Sequence, residues 1–403
     1  MQLSSPGALL FASCCWLLAL GWLRVGIAGL RGIRRLDDLN RIDPASLPDL
    51  EPGTEPHLSV VVPARNEAAA VGAALRSLVA SDGIRLEILA VDDRSTDETG
   101  AIMDAVAIEG TSVGVRHSLQ VQHIHELPQG WLGKPHAMVQ AVQRASAPWL
   151  LFTDGDVLFA PHTLALALRL ALARRADHLV LAPTLIVHNW AERAVVATLN
   201  ALSQWVVRPW KVADPRARDA LGVGGFNLVR REVYDRVGGF DRLRMAVVED
   251  MALGGAIKSA GGRQWFAIGR DLVRVRWLEG VFGVLRASEK NGLAVFGYRT
   301  WLATLAGVGM LAHCFVPYAG LAVGGWARWA SLATYAGVAM TFIASRRMTW
   351  VSPWLAVFFG PAALLSGYSL LRSIFLTLKR GGVRWRGTFY PLAELRVHAR
   401  RAG

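Results

Sequence analysis

Hydrophobic positions fall into two regimes along this chain. Toward the ends they run almost unbroken: Gly7 to Leu30 is apolar apart from Arg24, and Thr300 to Gly320, Trp326 to Ser345 and Pro353 to Leu376 repeat the pattern. Apolar runs of this length predict helices able to cross a bilayer. In the middle the runs shorten to strand length and alternate with stretches of helical spacing. Leu58 to Pro63 predicts a β-branched strand, Ala68 to Val79 a helix, Leu86 to Val91 a second strand, and another helix follows Asp92 to Thr99. Strand, helix, strand, helix implies a parallel sheet with right-handed crossovers. Pro148 to Phe152 predicts a buried strand that stops abruptly in Thr153-Asp154-Gly155-Asp156, and Leu179 to Pro183 predicts another. Trp190 to Trp210, apolar and bearing tryptophans, reads as a core helix ahead of one lying on a membrane surface.

Composition changes the picture in one respect. The chain has 403 residues, 53% of them hydrophobic, and a net charge of +13. Its mean hydropathy of +0.31 is too high for an ordinary soluble enzyme. A basic membrane protein reconciles the two. Lys and Arg gather beside the apolar runs, at Arg31, Arg34 and Arg35, at Arg346 and Arg347, and at Lys379, Arg380, Arg384 and Arg386. That placement suits cytoplasmic flanks facing anionic lipid better than a nucleic-acid groove. The first run has no basic stretch before it and no small-residue cleavage site. It therefore reads as an uncleaved anchor in the cell (inner) membrane, with the amino terminus outside and the next domain cytoplasmic.

The resulting multi-pass plan is an anchor over residues 1–35, a linker rich in Pro and acids over 36–56, an α/β domain over 57–292, membrane segments over 293–378 and a basic tail over 379–403. Three crossings after a cytoplasmic domain would put the tail outside, whereas its charge puts it inside. Charge is the stronger argument. One segment is then expected to be re-entrant or interfacial, and Pro353 and Pro361 point to the last. Cys14, Cys15 and Cys314 offer neither a disulfide framework nor metal-ligand spacing.

Candidate chemistry lies at the strand ends. Asp154 and Asp156 emerge at the carboxyl edge of a buried strand, where open α/β sheets bind ligands. Two hard oxygen donors on one short turn suit Mg²⁺ or Mn²⁺, with substrate phosphates completing the shell. Taken alone, an Asp-Gly turn leaving a core strand is the plainer reading. The second strand ends in Asp92-Asp93-Arg94-Ser95, of which Asp92 or Ser95 is expected to cap the following helix. Gly133-Lys134 opens a helix (His136 to Arg144), where the ammonium and the helix dipole add toward a diphosphate. Gly222 to Asn227 is a glycine-rich turn without G-x-G-x-x-G after a strand, so it does not argue for a dinucleotide fold.

V-V-P-A-R-N-E, then V-D-D-R-S-T-D-E-T, then T-D-G-D resemble, in that order, the nucleotide-sugar domain of family 2 glycosyltransferases, the inverting GT-A group, over roughly Leu58 to Asn291. The resemblance implies a GT-A α/β fold, a mostly parallel sheet flanked by helices, together with transmembrane helices. It implies that Pro63, Asn66 and Glu67 line the nucleoside pocket, that Asp92 or Asp93 contacts the base, and that Asp154 and Asp156 hold the sugar-nucleotide and its metal. A G-W-x-G-K element occurs at this place in members resembling hopanoid- and carotenoid-associated transferases, which assigns Lys134 to the donor phosphates. Gly224, Gly225 and Phe226 fall where the family keeps a glycine-rich segment under sugar and acceptor. Val247 to Leu253 resembles the E-D element that carries the base, giving Asp250 that role with Glu249 as neighbour or acceptor contact. The chemistry asks for such a group: attack on the anomeric carbon opposite the leaving diphosphate needs a carboxylate to take the acceptor hydroxyl's proton. A helix-capping Asp is the plain alternative.

One departure matters. Processive members carry Q-x-x-R-W after the base, and it does not occur here. Arg274 to Trp277 and Arg286 to Asn291 better resemble pieces of the non-processive, lipid-directed branch, and Trp385 to Tyr390 resembles its W-R/K-G-x-x-Y element. Arg276 and Trp277 are candidates to stack on, or pair with, donor or acceptor. The expectation is a membrane-anchored, metal-dependent inverting transferase moving one sugar from a nucleotide-sugar, a UDP-sugar by preference, to a lipid-type acceptor, with no nucleic-acid partner. A processive polysaccharide synthase and a catalytically silent nucleotide-sugar-binding scaffold are the alternatives. The missing element counts against the first, and the presence of Asp92, Asp93, Asp154, Asp156 and Asp250 against the second.

Overall fold

The computed structural model describes residues 6–51, 53, 55–111, 117–278 and 280–402. In chain order these form α1 (Pro6–Ile33), β1 (Asp37–Asp38), β2 (Leu58–Ala64), α2 (Val71–Val79), β3 (Leu86–Asp93), α3 (Thr99–Thr111), β4 (Ser118–Ile124), α4 (Gly133–Val142) and β5 (Trp149–Phe152). Next come β6 (Leu158–Phe159), α5 (Thr163–Ala173), β7 (His178–Ala182), β8 (Thr184–Leu185), α6 (Trp190–Ser203), β9 (Asn227–Arg230), α7 (Arg231–Arg236), α8 (Gly239–Arg242) and α9 (Glu249–Ser259). β10 (Gln264–Ile268), β11 (Val273–Val275), α10 (Gly283–Asn291), α11 (Thr300–Val323), α12 (Gly325–Ser345), α13 (Phe359–Arg380), β12 (Gly382–Trp385), β13 (Thr388–Pro391) and α14 (Leu392–Ala402) complete the chain. Two units result: Leu36–Ile186, Lys211–Trp277 and His398–Gly403 make one, and Met1–Arg35, Val187–Trp210 and Leu278–Val397 the other.

The first unit is built on an eight-stranded sheet in the order β1-β10-β7-β9-β5-β2-β3-β4. All neighbours run parallel except β9, which is antiparallel to both β7 and β5. Every residue of β2 and β3 is buried, which is why both read as continuous apolar runs. Alternate residues serve opposite faces: Val60, Val62, Ile88 and Ala90 enter one core with α2 and α5, while Val61, Leu89 and Val91 enter the other with α4 and α9. Pro63 sits in a central strand without disrupting it, because β5 stops at Phe152, opposite Val61, and no ladder partner remains on that side for the missing N–H. Within residues 36–56, read as a linker, Asp37 to Leu47 instead dock on this sheet. Asp37 takes Arg174 at 2.7 and 2.8 Å and the Trp265 indole N–H at 2.8 Å, and Leu39 and Leu47 are buried.

The second unit is helical. α1 crosses α12 closely because Gly26 meets Gly337: a Cβ on Gly26 would lie 2.7 Å from the Gly337 carbonyl oxygen. Trp22 is wholly buried at its centre, edge-on to Trp205, His313 and Phe359 with centroids 5.3, 5.5 and 5.1 Å away. The sequence reading favoured a core helix of the α/β domain over Trp190 to Trp210. The structure instead packs α6 here, Ala194, Ala197, Ala201 and Leu202 sharing a core with Phe342 and Phe359.

Among the described residues, three helices are long and apolar enough to cross a membrane: Pro6–Ile33, Thr300–Val323 and Pro353–Arg380. α12 is not one of them, although Trp326 to Ser345 is expected to span. Its Ser331, Thr334 and Thr341 are buried, their hydroxyls bonded to carbonyls of the preceding turn. The last segment stays in the set because its prolines do not interrupt it. Pro353 opens a 3₁₀ turn and Pro361 falls in the first turn of α13, where a missing N–H costs little. The basic stretch after it is folded too, as the hairpin β12–β13 and then α14, with Lys290 4.0 Å above the Trp385 ring.

Candidate active site

The carboxyl ends of β2, β3 and β5 lie at one edge of the sheet, and the loops leaving them are tied together. The Asn66 N–H donates to Ser95 Oγ at 3.0 Å, and Asn66 Oδ1 accepts from the Thr96 N–H at 2.8 Å. The Glu67 N–H donates to Thr99 Oγ1 at 2.8 Å. Asn66 adopts φ 54°, in the left-handed region that Asn tolerates better than most residues. Asp92 and Asp93 are both buried and face different partners. Asp92 accepts from the Ser95 N–H at 3.2 Å and lies 3.1 Å from His123 Nδ1, while Asp93 accepts from Arg94 Nε at 2.7 Å. The side chain that caps α3 is neither Asp92 nor Ser95. The helix begins at Thr99, where the sequence places it, but it is the Asp97 side chain that takes the Thr99 N–H, at 3.0 Å, while Asp92 points to His123.

Lys134, second residue of α4, reaches across to the sheet edge. Its ammonium pairs with Asp154 at the end of β5 and with Glu249 at the start of α9. Burial alone would push this amine down, yet Asp154, Glu249 and Asp250 together hold it above its ordinary value. It is a fixed positive charge. Asp250 goes the other way: burial, then the Glu249 charge, raise its carboxyl above the usual range, against the pull of Lys134. Burial, Asp154 and Glu67 likewise push Asp156 up to about 7. The Asp250 side chain does not cap α9. That helix begins at Glu249, and Asp250 Oδ1 accepts the next N–H, that of Met251, at 2.7 Å.

Two glycines make room here, Gly224 for Asp154 and Gly222 for the α9 turn. A Cβ on Gly224 would lie 2.6 Å from Asp154 Oδ2, and one on Gly222 only 1.8 Å from the Asp250 carbonyl oxygen. Gly222→Ala therefore has to push back the turn that carries Asp250. It is expected to cost about 3 kcal/mol of stability and to reduce transfer more than donor binding; a thermal melt and a nucleotide titration of the same sample check this.

The structure brings Lys134, Glu249, Asp250 and Gly224 around one small cleft, with Thr153 and Asn227 in its wall, and Asp154 adjoins it through its pair with Lys134. Pro63, Asn66, Glu67, Asp92 and Asp93 occupy the strand ends and loops of the same sheet edge. Gly225 lies beside Val157 and Pro183. Phe226 is different: it is wholly buried against Phe159 and belongs to the core, so the acceptor role expected of it has no surface to act through. Arg276 and Trp277 are exposed at the exit of β11 and contribute nothing to that wall. The register of β11 with β6, Val273 opposite Phe159 and Arg274 opposite Leu158, runs them back toward Asp156. Sequence reasoning missed His123, which bridges Asp92 and Asp104, and the buried trio His178, Asn227 and Gln264. Each is a lone polar residue on a strand, a pattern shared with any solvated edge position.

Residues 59–238 match the family model described as Glycosyl transferase family 2. A 4,4'-diaponeurosporenoate glycosyltransferase of Staphylococcus aureus strain MRSA252 is 26% identical over 204 residues, 50% of this chain and 51% of the relative; that of strain USA300 aligns with the same figures. The chain spans about half the length of the curated relatives it matches. Among solved structures, a mannosyltransferase from Pyrobaculum calidifontis in complex with GDP-Man and Mn²⁺ is similar over 91% of this chain and 98% of that one, with a TM-score of 0.53 and 18% identity. The likeness shows the fold, the GT-A arrangement expected from the sequence.

Proposed function

We propose that the chain, whose residues 59–238 match the Glycosyl transferase family 2 model and which has the GT-A fold, is an inverting transferase moving one sugar from a nucleotide-sugar, a UDP-sugar by preference, to a lipid-type acceptor. The observation that carries this reading is the Lys134 ammonium enclosed by Asp154, Glu249 and Asp250. It sets a permanent cation beside a carboxylate whose proton affinity is raised. In the proposed step the acceptor oxygen attacks the anomeric carbon as its proton passes to Asp250, and the bond from that carbon to the diphosphate breaks. A base tuned upward toward neutrality suits this transfer. Lys134 balances the charge that develops on the departing diphosphate.

The strand-end acids fit a divalent cation. Asp154 and Asp156, with Glu67 near them, are hard oxygen donors, and the Asp156 carboxyl is raised first by burial and then by the Asp154 and Glu67 charges. Among the described residues no group of three or more His, Cys, Asp or Glu forms a cage by itself. Two carboxylates completed by donor phosphates is therefore the arrangement that fits, as for Mg²⁺. When bound, the ion would supply Lewis-acid stabilisation of the leaving diphosphate.

Asp156→Asn is expected to abolish Mn²⁺-dependent nucleotide binding in calorimetry; unchanged binding would remove this assignment. Stability offers a second readout. The folded carboxyl, at about 7, holds its proton more tightly than the unfolded one, so the stabilisation it contributes is complete at low pH and fades as pH rises through 7. Without metal the wild-type midpoint of unfolding should drop as pH rises from about 4 to about 7; Mn²⁺ should reverse that drop, and Asp156→Asn, with no carboxyl to titrate, should lack both the drop and the response to Mn²⁺.

The lipid acceptor is supported by the three helices apolar enough to cross a membrane and by the carotenoid substrate in the name of the relatives. A multi-pass inner-membrane placement with the catalytic domain cytoplasmic belongs to the same proposal. Incubating detergent-solubilised protein with UDP- and GDP-sugars, Mn²⁺ and a total lipid extract tests it. Sugar should appear on an extractable lipid, one residue per molecule. A polymeric product would favour a polysaccharide synthase, and no nucleotide binding under any condition would favour a silent scaffold.

A further inference from the structure

Beneath the α9 turn lies a buried polar row that the proposed step does not use. His178, Asn227 and Gln264 are the first residues of β7, β9 and β10, and they are 0%, 1% and 2% exposed. Strand positions this deep ordinarily hold apolar side chains such as Val or Ile, as at Val60, Val61 and Val62 of β2. Each of these polar groups would cost stability if left unpaired. Instead they bond to one another in a directed chain. Gln264 Nε2 donates to His178 Nδ1 at 2.9 Å, and His178 Nε2 donates to Asn227 Oδ1. The directions are forced, because the amide nitrogen of Gln only donates and the amide oxygen of Asn only accepts. His178 therefore carries its proton on Nε2. Burial lowers its pKa to about 4, so it stays neutral at working pH and moves no proton.

Both ends of the chain terminate on the segment that holds Asp250. Gln264 Nε2 also donates to the Gly254 carbonyl of α9 at 2.7 Å, and its Oε1 faces the Leu221 N–H at 3.4 Å. Asn227 Nδ2 is 3.5 Å from the Asp250 carbonyl oxygen, a looser contact that sets the other limit of the turn. Leu221 and Gly222 form the seat on which α9 rests, since a Cβ on Gly254 would lie 2.2 Å from the Leu221 carbonyl oxygen. Close packing fixes how near the turn comes. The hydrogen bonds fix its rotation and register along the strands, which packing against glycines leaves free.

We propose that His178, Asn227 and Gln264 form a positioning relay that orients the first turn of α9, and with it the Asp250 carboxylate, against the Lys134 cleft. This rests on the assignment of Asp250 as the base. The relay touches no reacting atom, so its loss should appear in turnover and not in donor affinity.

His178→Phe fills similar space and breaks both bonds, whereas His178→Gln can still accept from Gln264 and donate to Asn227. In the full-length detergent-solubilised protein, His178→Phe is expected to lower kcat roughly thirtyfold with the KM for the nucleotide-sugar within about twofold of wild type. Its acid limb in the pH profile of kcat should move to lower pH as the turn loosens and Asp250 gains solvent. Because Lys134, Glu249 and Asp154 face that carboxylate, all three are left unchanged. His178→Gln should recover kcat to within about threefold of wild type. Equal losses in the two variants, or a kcat that falls only with the melting temperature, would overturn the relay. If His178→Phe does not accumulate, Gln264→Met decides the matter by the same split. Should the wild type itself transfer no sugar, the function proposed above fails and the relay falls with it; an active wild type with unaffected variants removes the relay alone.

Discussion

Asp250→Asn is expected to lower kcat about a thousandfold while the dissociation constant for nucleotide diphosphate stays within about twofold of wild type. The asymmetry follows from where the group stands. Its carboxyl lines the cleft beside Glu249 and Lys134, and it accepts a hydrogen bond from the Met251 N–H at 2.7 Å. An amide oxygen accepts that bond equally well, so the turn should hold its shape. What Asn cannot do is accept a proton. The loss, about 4 kcal/mol of transition-state stabilisation, should therefore fall wholly on the chemical step, the signature of an interaction made only in the transition state. Removing one charge from the Glu249–Asp250 pair should also stabilise the metal-free protein, because the folded Asp250 carboxyl is raised and its charged form is the costly one. A higher unfolding midpoint joined to lost turnover would identify a group kept for chemistry against stability. Turnover within tenfold of wild type would move the base elsewhere.

Much of this site is legible in the chain because it lies on short apolar strands with polar ends. Leu58 to Ala64, Leu86 to Asp93 and Trp149 to Phe152 are wholly buried, and each delivers its acids to the same sheet edge. Local periodicity carries that information. Partner choice between distant segments is not written locally, and there the reading failed. Lys134 reads as a cation waiting for a diphosphate, yet it is already held by two carboxylates, one of them 115 residues further along the chain. Phe226 follows two glycines in a turn that looks open, but β9 inserts antiparallel between β5 and β7 and carries it into the core. Asp97 and not Asp92 caps α3, since Asp92 has a better partner in His123, a residue on the neighbouring strand β4. The apolar stretch around α6 shows the same limit: hydrophobicity says that it is covered, not by which unit.

Lys134→Met should have the second largest effect, and on two separate quantities. The side chain is largely covered, with 21% exposure, and it compensates Asp154, Glu249 and Asp250 at once. Met keeps the volume and removes the charge. Three carboxylates then share the cleft without their cation, and the expected penalty is about 2 kcal/mol at pH 8 after allowance for solvent reaching the site. The penalty should shrink toward pH 5. In the variant the Asp250 carboxyl, raised by burial and by Glu249 and no longer opposed by Lys134, holds its proton more tightly folded than unfolded, so stability is lost as pH rises through its folded value. Nucleotide-diphosphate affinity should fall about a hundredfold, the range of a charge-assisted hydrogen bond. A second substitution separates the two effects. Lys134→Met combined with Glu249→Gln removes one uncompensated charge and should recover most of the lost stability, while donor affinity stays low because no cation has returned. If the double variant regains both, Lys134 serves only to neutralise its acidic neighbours. If it regains stability alone, the ammonium is the donor's phosphate contact, and its pairing with Asp154 and Glu249 is the arrangement from which the diphosphate displaces it.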